Sequence, residues 1–256
     1  MHLTAITRTV SSSLANCELT WLPRVPIDAA LAHQQHLAYE LSLQDLGAAV
    51  LSLPALPDFP DSVFVEDPAL ILDEIAVITT MGCESRRGER PTLAEAIARF
   101  RPVLHMRPPG ILEGGDVLRI DRDLHVGLSN RTDQAGIEEL ALILRPYGYR
   151  VHPVELRNCL HLKSAVSNIG DDTLLINRDW VDPAYFPGHR RIDVAPDEPS
   201  AANALRVNDT VIMPSAFPQT ANKLRAAGFQ VRELDLSELL KAESGVTCSS
   251  LLFQAP

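Results

Sequence analysis

The sequence predicts an α/β protein built from a repeated unit of two strands, a helix and a return strand. Four stretches each contain two β-rich runs joined by a polar turn, and helical patterns follow several of them. The residues that mark the start of successive units are separated by 47, 48, 42 and 45 positions; they are Glu66, Glu113, His161, Asn203 and Cys248. Intervals of this length are typical of supersecondary repeats.

The predicted elements occupy the chain from about residue 64 onwards. Hairpins are predicted over residues 64–79, 115–127, 164–176 and 204–213, and helices over residues 93–100, 137–144 and 220–225. Gly148 and Gly228 suit helix C-terminal caps. Because such a unit cannot bury its sheet face alone, a ring of units around a shared axis is a natural arrangement, in which the five marker residues would face one central channel. Units of this length also occur in open α/β sheets.

Composition limits the function classes. The chain has 256 residues, 46% of them hydrophobic, and a formal net charge of −10. This acidity disfavours nucleic acid as a partner and suits a small cationic ligand. No run approaches the roughly 18 apolar residues of a membrane span, and residues 1–10 lack the features of a signal peptide. We therefore expect a cytoplasmic protein without a membrane partner. The oligomeric state, a homodimer included, stays open at this level.

The cysteines do not form a metal or disulfide pattern. Cys17, Cys83, Cys159 and Cys248 are scattered, without a C-x-x-C pair. Cys159 and His161 lie two positions apart, a spacing that fits no common zinc site. We expect no metal and no other cofactor, although the Cys248 thiolate and the His161 imidazole could bind zinc reversibly as an inhibitor.

Three residues have the chemistry of a nucleophile and its partners. Cys248 lies among small hydroxyl residues before an apolar run, His161 lies between two leucines ahead of a predicted strand, and Glu113 precedes Gly114 and Gly115. A reactive cysteine needs a cation or base beside it, and a carboxylate can orient that base. Each residue alone also has a structural interpretation, as a buried cysteine, a core histidine or a solvated turn.

Acidic and basic residues near these positions suggest an amino-acid ligand with a guanidinium group. Asp61, Glu66 and Asp67 crowd an otherwise apolar stretch, where carboxylates are costly unless paired, and a guanidinium pairs with them bidentately. Arg86 and Arg131 could hold a carboxylate. The alternatives are a charged loop at a strand edge and ordinary surface arginines.

Seven ordered motifs closely resemble those of the dimethylarginine dimethylaminohydrolases. They extend from about residue 59 to the end of the chain, and the N-terminal ITRTVSSSL resembles the first strand and flexible loop of that family. The motifs are FPDSVFVEDPAL, ESRRGE, LEGGD, LSNRTD, CLHLKS, AANALRVNDTVIMPSAFP and SGVTCSSLLF.

The resemblance implies a pentein fold, an α/β propeller of five ββαβ-type units about a pseudo-fivefold axis, with residues 1–256 forming one catalytic domain. It also implies hydrolysis of asymmetric dimethylarginine and monomethylarginine to citrulline. The implied catalytic residues are Cys248, His161 and Glu113. The implied substrate contacts are Glu66 and Asp67 for the guanidinium, Asp61 and the Leu19 carbonyl for the ammonium, and Arg86 and Arg131 for the α-carboxylate, with Arg87 able to exchange roles with Arg86.

Two alternatives remain at this level. Arginine deiminases resemble the same family but show an aspartate two residues after the histidine, where this chain has Lys163. The absence of that carboxylate would leave room for N-methyl groups. A protein that only binds guanidino ligands is the other alternative, but it would need no thiol beside an acid–base pair.

Overall fold

Fifteen strands in five three-stranded sheets form the framework of residues 2–255, which the computed structural model describes. The strands are β1 His2–Arg8, β2 Ala49–Leu53, β3 Ala69–Ile71, β4 Ala76–Ile78, β5 Val103–His105, β6 Val117–Ile120, β7 Asp123–Leu128, β8 Arg150–Glu155, β9 Val166–Asn168, β10 Thr173–Ile176, β11 Arg190–Asp193, β12 Leu205–Val207, β13 Thr210–Pro214, β14 Gln230–Leu234 and β15 Leu251–Ala255. The α-helices of this part of the chain are α1 Ala29–Asp45, α2 Arg90–Ile97, α3 Gln134–Leu144, α4 Leu162–Ala165, α5 Pro218–Ala226 and α6 Ser237–Leu240.

Every sheet has the same pattern. Its middle strand is antiparallel to one neighbour and parallel to the other. The four predicted hairpins are present as the antiparallel pairs β3–β4, β6–β7, β9–β10 and β12–β13. Two of their predicted starts are wrong, because residues 65–68 form turns and residues 164–165 belong to α4. The remaining sheet joins the two ends of the chain, because β1 pairs antiparallel with β15 and parallel with β2.

The sheets contact one another through their first strands. Strand β15 contacts β3, β6 contacts β9, and β9 contacts β12. The parallel partner in each sheet is reached by a crossover that contains a helix in four of the five units, as the ββαβ pattern requires. The open-sheet alternative is therefore wrong, and the ring of five units is confirmed.

The unit formed by β9, β10 and β11 departs from the predicted pattern. Between β10 and β11 the chain makes a short 3₁₀ turn at Pro183–Tyr185 instead of an α-helix. Prolines at positions 183 and 187 disfavour a continuous helix here. A bridge between Leu156 and Val181 ties this connection to the preceding unit.

Helix α1 is the one α-helix longer than one turn, among the described residues, that the sequence patterns did not predict. It begins after Asp28, whose side chain accepts hydrogen bonds from the backbone N–H groups of Ala30 and Leu31. Tyr39 is fully buried on its inner face, whereas Leu41 is 60% exposed. Because apolar residues lie on both faces, the helix lacks the one-sided pattern by which a surface helix is predicted.

The fold places the marker residues just before the first strands. Glu113 precedes the turn that leads into β6, His161 caps α4 ahead of β9, and Cys248 precedes β15. All three are at least nine-tenths buried. No helix of residues 2–255 has the length and apolarity that crossing a membrane requires.

Candidate active site

A narrow cavity brings together six of the nine predicted site residues. They are Asp61, Asp67, Arg86, Arg131, His161 and Cys248. Glu113 lies directly behind His161. A larger cavity on the axis of the sheets, lined by Glu66, Lys163 and Thr247, does not contain the nucleophile. The expectation of one shared channel for all markers is therefore not met.

His161 and Glu113 form a buried ion pair. Nε2 of His161 lies 2.9 Å from Oε2 of Glu113. Burial opposes the charged imidazolium, but the carboxylates of Asp67, Asp116 and Glu113 outweigh it and raise the pKa of His161 to about 9. Because Nε2 is engaged by Glu113, Nδ1 is the nitrogen left to serve the cavity, where it lies 4.0 Å from Oδ1 of Asp67.

Glu113 remains ionised in spite of its burial. Its Oε1 accepts hydrogen bonds from the Cys83 N–H at 3.2 Å and from Arg131 Nη1 at 3.4 Å. Burial would favour the neutral carboxyl group, but the bond from His161 and the charges of His161, Arg86 and Arg131 lower the pKa of Glu113 to about 2. The pair therefore holds a charged histidine at neutral pH.

Cys248 is held by backbone contacts. Its sulfur accepts the Gly245 N–H at 3.2 Å, and its carbonyl oxygen accepts the Glu66 N–H at 3.2 Å. Gly245 is required here, because a Cβ atom would lie 2.2 Å from Cγ of Asn203. Burial raises the pKa of the Cys248 thiol, and the nearby carboxylates of Glu66 and Asp67 raise it further. Without a ligand, the cysteine is therefore a neutral thiol.

Asp67 has one free carboxylate oxygen in the cavity. Its Oδ2 accepts a hydrogen bond from Arg86 Nη1 at 2.7 Å, while its buried Oδ1 has no partner. Glu89 accepts the other side of the Arg86 guanidinium, at 3.0 Å from both Nε and Nη2. An unpaired buried carboxylate oxygen favours binding of a ligand with N–H donors.

A loop of residues 18–25, here called the covering loop, lies over the cavity. The Glu18 N–H donates to both oxygens of Asp61, at 3.1 and 3.3 Å, and Arg131 Nη2 donates to Oγ1 of Thr20 at 3.2 Å. The carboxylate of Glu243 accepts the N–H groups of Thr20, Trp21 and Leu22. Leu19 lies in this loop and packs against the adjacent core, and it does not line the cavity.

Glu66 points away from this cavity. Its carboxylate accepts a hydrogen bond from Lys163 Nζ at 2.5 Å and another from Thr247 Oγ1 at 2.7 Å. The structure thus places Glu66 behind the nucleophile loop, whereas Asp67, one residue later, faces the cavity.

Comparison with known proteins identifies the family. A family model described as arginine deiminase matches residues 33–186. The N(G),N(G)-dimethylarginine dimethylaminohydrolase of Pseudomonas aeruginosa is 38% identical over 88% of this chain and 90% of its own length, and that of Streptomyces coelicolor is 37% identical over 96% and 95%. The chain belongs to the dimethylarginine dimethylaminohydrolase family. A structure of the Pseudomonas aeruginosa enzyme, a cysteine-to-serine variant complexed with citrulline, covers 99% of this chain with a TM-score of 0.94.

The comparison confirms the pentein fold predicted from the dimethylarginine dimethylaminohydrolase motifs. It leaves the roles of individual residues as predictions. Sequence reasoning missed three acidic residues. Glu89 binds Arg86, Asp116 binds the backbone that follows His161, and Glu243 binds the covering loop. A signal existed for Glu89, which lies three residues after Arg86 within ESRRGE, a spacing at which charged side chains in a helical turn meet.

One cluster in residues 2–255 has ligand atoms close enough for a metal ion. Ligand atoms of Asp67, Glu113 and His161 lie within 4.8 Å of one another. His161 is charged in this arrangement and so offers no lone pair, and Arg86 and Arg131 already compensate the two carboxylates. The absence of a metal cofactor in this dimethylarginine dimethylaminohydrolase relative stays a prediction.

Proposed function

We propose that this protein hydrolyses N-omega-methylated arginines to citrulline and dimethylamine or methylamine, with residues 1–256 forming one catalytic domain. The observation that carries the proposal is the cavity in which Cys248, a charged His161 and a free oxygen of Asp67 meet. The family relationship and the citrulline complex of the Pseudomonas aeruginosa relative support the same substrate class.

Substrate binding prepares the nucleophile. The guanidinium donates hydrogen bonds to Oδ1 of Asp67, and its positive charge lies near the Cys248 sulfur. A neighbouring cation favours a thiolate, so the neutral thiol of the free protein releases its proton to solvent as the substrate binds. The charged ligand thus supplies the activation that the buried site alone does not.

The thiolate then attacks the guanidinium carbon to form a carbon–sulfur bond. As the tetrahedral adduct collapses, His161 donates the proton on Nδ1 to the departing nitrogen, the carbon–nitrogen bond breaks, and the amine leaves. The neutral His161 next takes a proton from water, which attacks the S-alkylthiouronium carbon. The carbon–sulfur bond then breaks to regenerate the Cys248 thiolate, the proton of the new hydroxyl group passes to solvent, and citrulline is released.

The amino-acid end of the substrate would lie under the covering loop. Asp61 suits the ammonium group and Arg131 the α-carboxylate, since both line the cavity. Arg86 could take the same role only by giving up part of its bonding to Asp67 and Glu89. We therefore assign Arg86 first to holding Asp67 in place. The predicted guanidinium contact of Glu66 likewise requires the bond to Lys163 to break.

Arginine itself is the competing substrate, since the matched family model is that of arginine deiminases. Lys163 occupies the position two residues after the histidine, where arginine deiminases have an aspartate, so the cavity lacks that second carboxylate. The Lys163 side chain bonds to Glu66 instead. This favours methylated guanidinium groups over arginine. Cytoplasmic location remains an expectation from the sequence, and the oligomeric state stays open.

Citrulline release from dimethylarginine, monomethylarginine and arginine, measured in parallel, tests the proposal. We expect turnover of the methylated substrates, little turnover of arginine, and none with Cys248→Ser, which should still bind. Preference for arginine would indicate a deiminase. No citrulline from any substrate, together with retained binding, would indicate a protein that only binds guanidino ligands.

A further inference from the structure

The motif LEGGD contains, besides Glu113, a second acidic residue whose contacts the proposed mechanism does not use. Asp116 is fully buried. Its Oδ1 accepts the backbone N–H of Leu162 at 2.9 Å, and its Oδ2 accepts the hydroxyl of Ser129 at 2.7 Å. Since Leu162 directly follows His161, Asp116 holds the backbone next to the predicted acid–base residue.

Glu113 and Asp116 bracket a single 3₁₀ turn, Gly114–Asp116. Glu113, just before the turn, binds the side chain of His161, and Asp116, at its end, binds the backbone that follows. Two points of attachment from one rigid turn define both the position and the direction of the histidine.

The residue between these attachments touches the imidazole. A Cβ atom at Gly115 would lie 2.7 Å from Nδ1 of His161 and 2.8 Å from Oδ1 of Asp67. Close packing continues behind Asp116, where a Cβ atom at Gly127 would lie 2.7 Å from its Oδ1. The histidine ring is therefore confined by the turn, and a displaced ring would collide with backbone.

We propose that Asp116 is a positioning residue of the reaction described above, one that anchors the backbone at Leu162 and presents a buried negative charge to the imidazole of His161. This inference rests on the proposed function. The two acidic residues of the turn then have separate parts: Glu113 orients the ring through Nε2, and Asp116 fixes the main chain from which the ring extends.

The electrostatics of the site agree with this geometry. His161 is faced by the carboxylates of Asp67, Asp116 and Glu113, while the cationic groups nearby are paired with Asp67 and Glu113. Those cationic groups are Arg86 and Arg131, and the Cys248 thiol lines the same cavity.

The pKa of Asp116 also depends on its surroundings. Burial raises the pKa of Asp116 to about 6, against the charge of His161 and the hydrogen bonds of Ser129, Thr132 and the Leu162 N–H. Cys159 is the other titratable group close to it, and burial raises the pKa of that thiol to about 12. Asp116 is therefore mostly ionised at pH 7 and above.

The test removes the negative charge of Asp116 while keeping the shape of its side chain. Asp116→Asn retains an oxygen that can accept the Leu162 N–H, and Asp116→Ala removes both functions. Asp172→Asn is the matched control, because it makes the same charge change at an exposed turn residue with positive φ, which asparagine tolerates. The imidazole signals of His161 are followed by NMR against pH, and kcat and KM for dimethylarginine are measured over the same pH range.

We expect Asp116→Asn to shift the titration of His161 and the basic limb of the kcat profile to lower pH, with KM changed less than kcat. Asp116→Ala should in addition lower kcat at least tenfold at every pH, and Asp172→Asn should match the wild type. An unchanged His161 titration together with an unchanged kcat profile in Asp116→Asn would overturn the proposal.

A measurement on the unaltered protein guards against variants that fail to fold. Protonation of Asp116 near pH 6 should produce a second inflection in the His161 signals, well below the main titration of the ring. A flat response across that range would overturn the proposal. Because the NMR titration needs no turnover, it also separates failure of this inference from failure of the proposed enzymatic activity.

Discussion

The hydrogen bonds of Glu243 to the covering loop predict how easily the cavity opens. Its carboxylate accepts three consecutive backbone N–H groups of that loop, and it lies five residues before Cys248 in the chain. Cys248 is only 9% exposed beneath this loop, so reagents and substrates must wait for the loop to move. Weakening the contact of Glu243 should therefore expose the thiol more often.

The size of the effect follows from the number and setting of these bonds. A hydrogen bond to a charged group contributes about 1.5–3 kcal/mol, and less where water competes. Glu243 is partly exposed, and Glu243→Gln keeps one acceptor oxygen, so we expect a net loss of about 1.4 kcal/mol from the closed state. This corresponds to roughly a tenfold shift towards the open loop.

The assay is the rate at which iodoacetamide alkylates Cys248 in the free protein at fixed pH. We expect Glu243→Gln to react about tenfold faster than the wild type and to show a raised KM for dimethylarginine. Glu84→Gln is the control, because the Glu84 side chain is 89% exposed and lies outside the loop contact. Equal alkylation rates for Glu243→Gln and the wild type would refute the reasoning.

Two further predictions concern stability. The pKa of His161 is raised in the folded state to about 9, so its contribution to stability is complete below about pH 6.5 and is lost as the pH rises through 9. Urea denaturation should show the free energy of unfolding falling over this range, with a smaller fall in His161→Asn; parallel curves would contradict the prediction. Lys163→Met leaves the buried Glu66 with Thr247 as its remaining side-chain partner and should cost about 3 kcal/mol, as breaking a buried pair does. An unchanged urea midpoint would show that Glu66 is neutral or solvated.

The four hairpins could be predicted from sequence because their strands are buried runs bounded by polar turns. The pairing of β1 with β15 could not, since it joins residues at opposite ends of the chain and no local pattern specifies a partner so distant. The connection between β10 and β11 lacks the helix that the predicted repeat contains, and its prolines disfavour one. Local signals thus predicted the units, and long-range packing decided how the ring closes.

In the candidate site, too, the sequence predicted the reactive residues but not the contacts that depend on long-range packing. The chemistry of Cys248, His161 and Glu113 could be proposed from residue type and motif. The partners of Arg86 and Glu66 could not, because those ion pairs join residues that are distant in sequence and meet only after the chain has folded. Two adjacent carboxylates are therefore separated: Asp67 lines the cavity, and Glu66 lies on the axis.

The closure of the ring by β15 has a consequence for how the protein matures during synthesis. Cys248 lies just before the strand that pairs with β1, so the predicted nucleophile gains its final position only after β15 has been synthesised and has paired with β1. Nascent chains that end before Cys248 hold Glu113 and His161 but not the predicted nucleophile. We therefore expect no turnover until β15 has paired with β1.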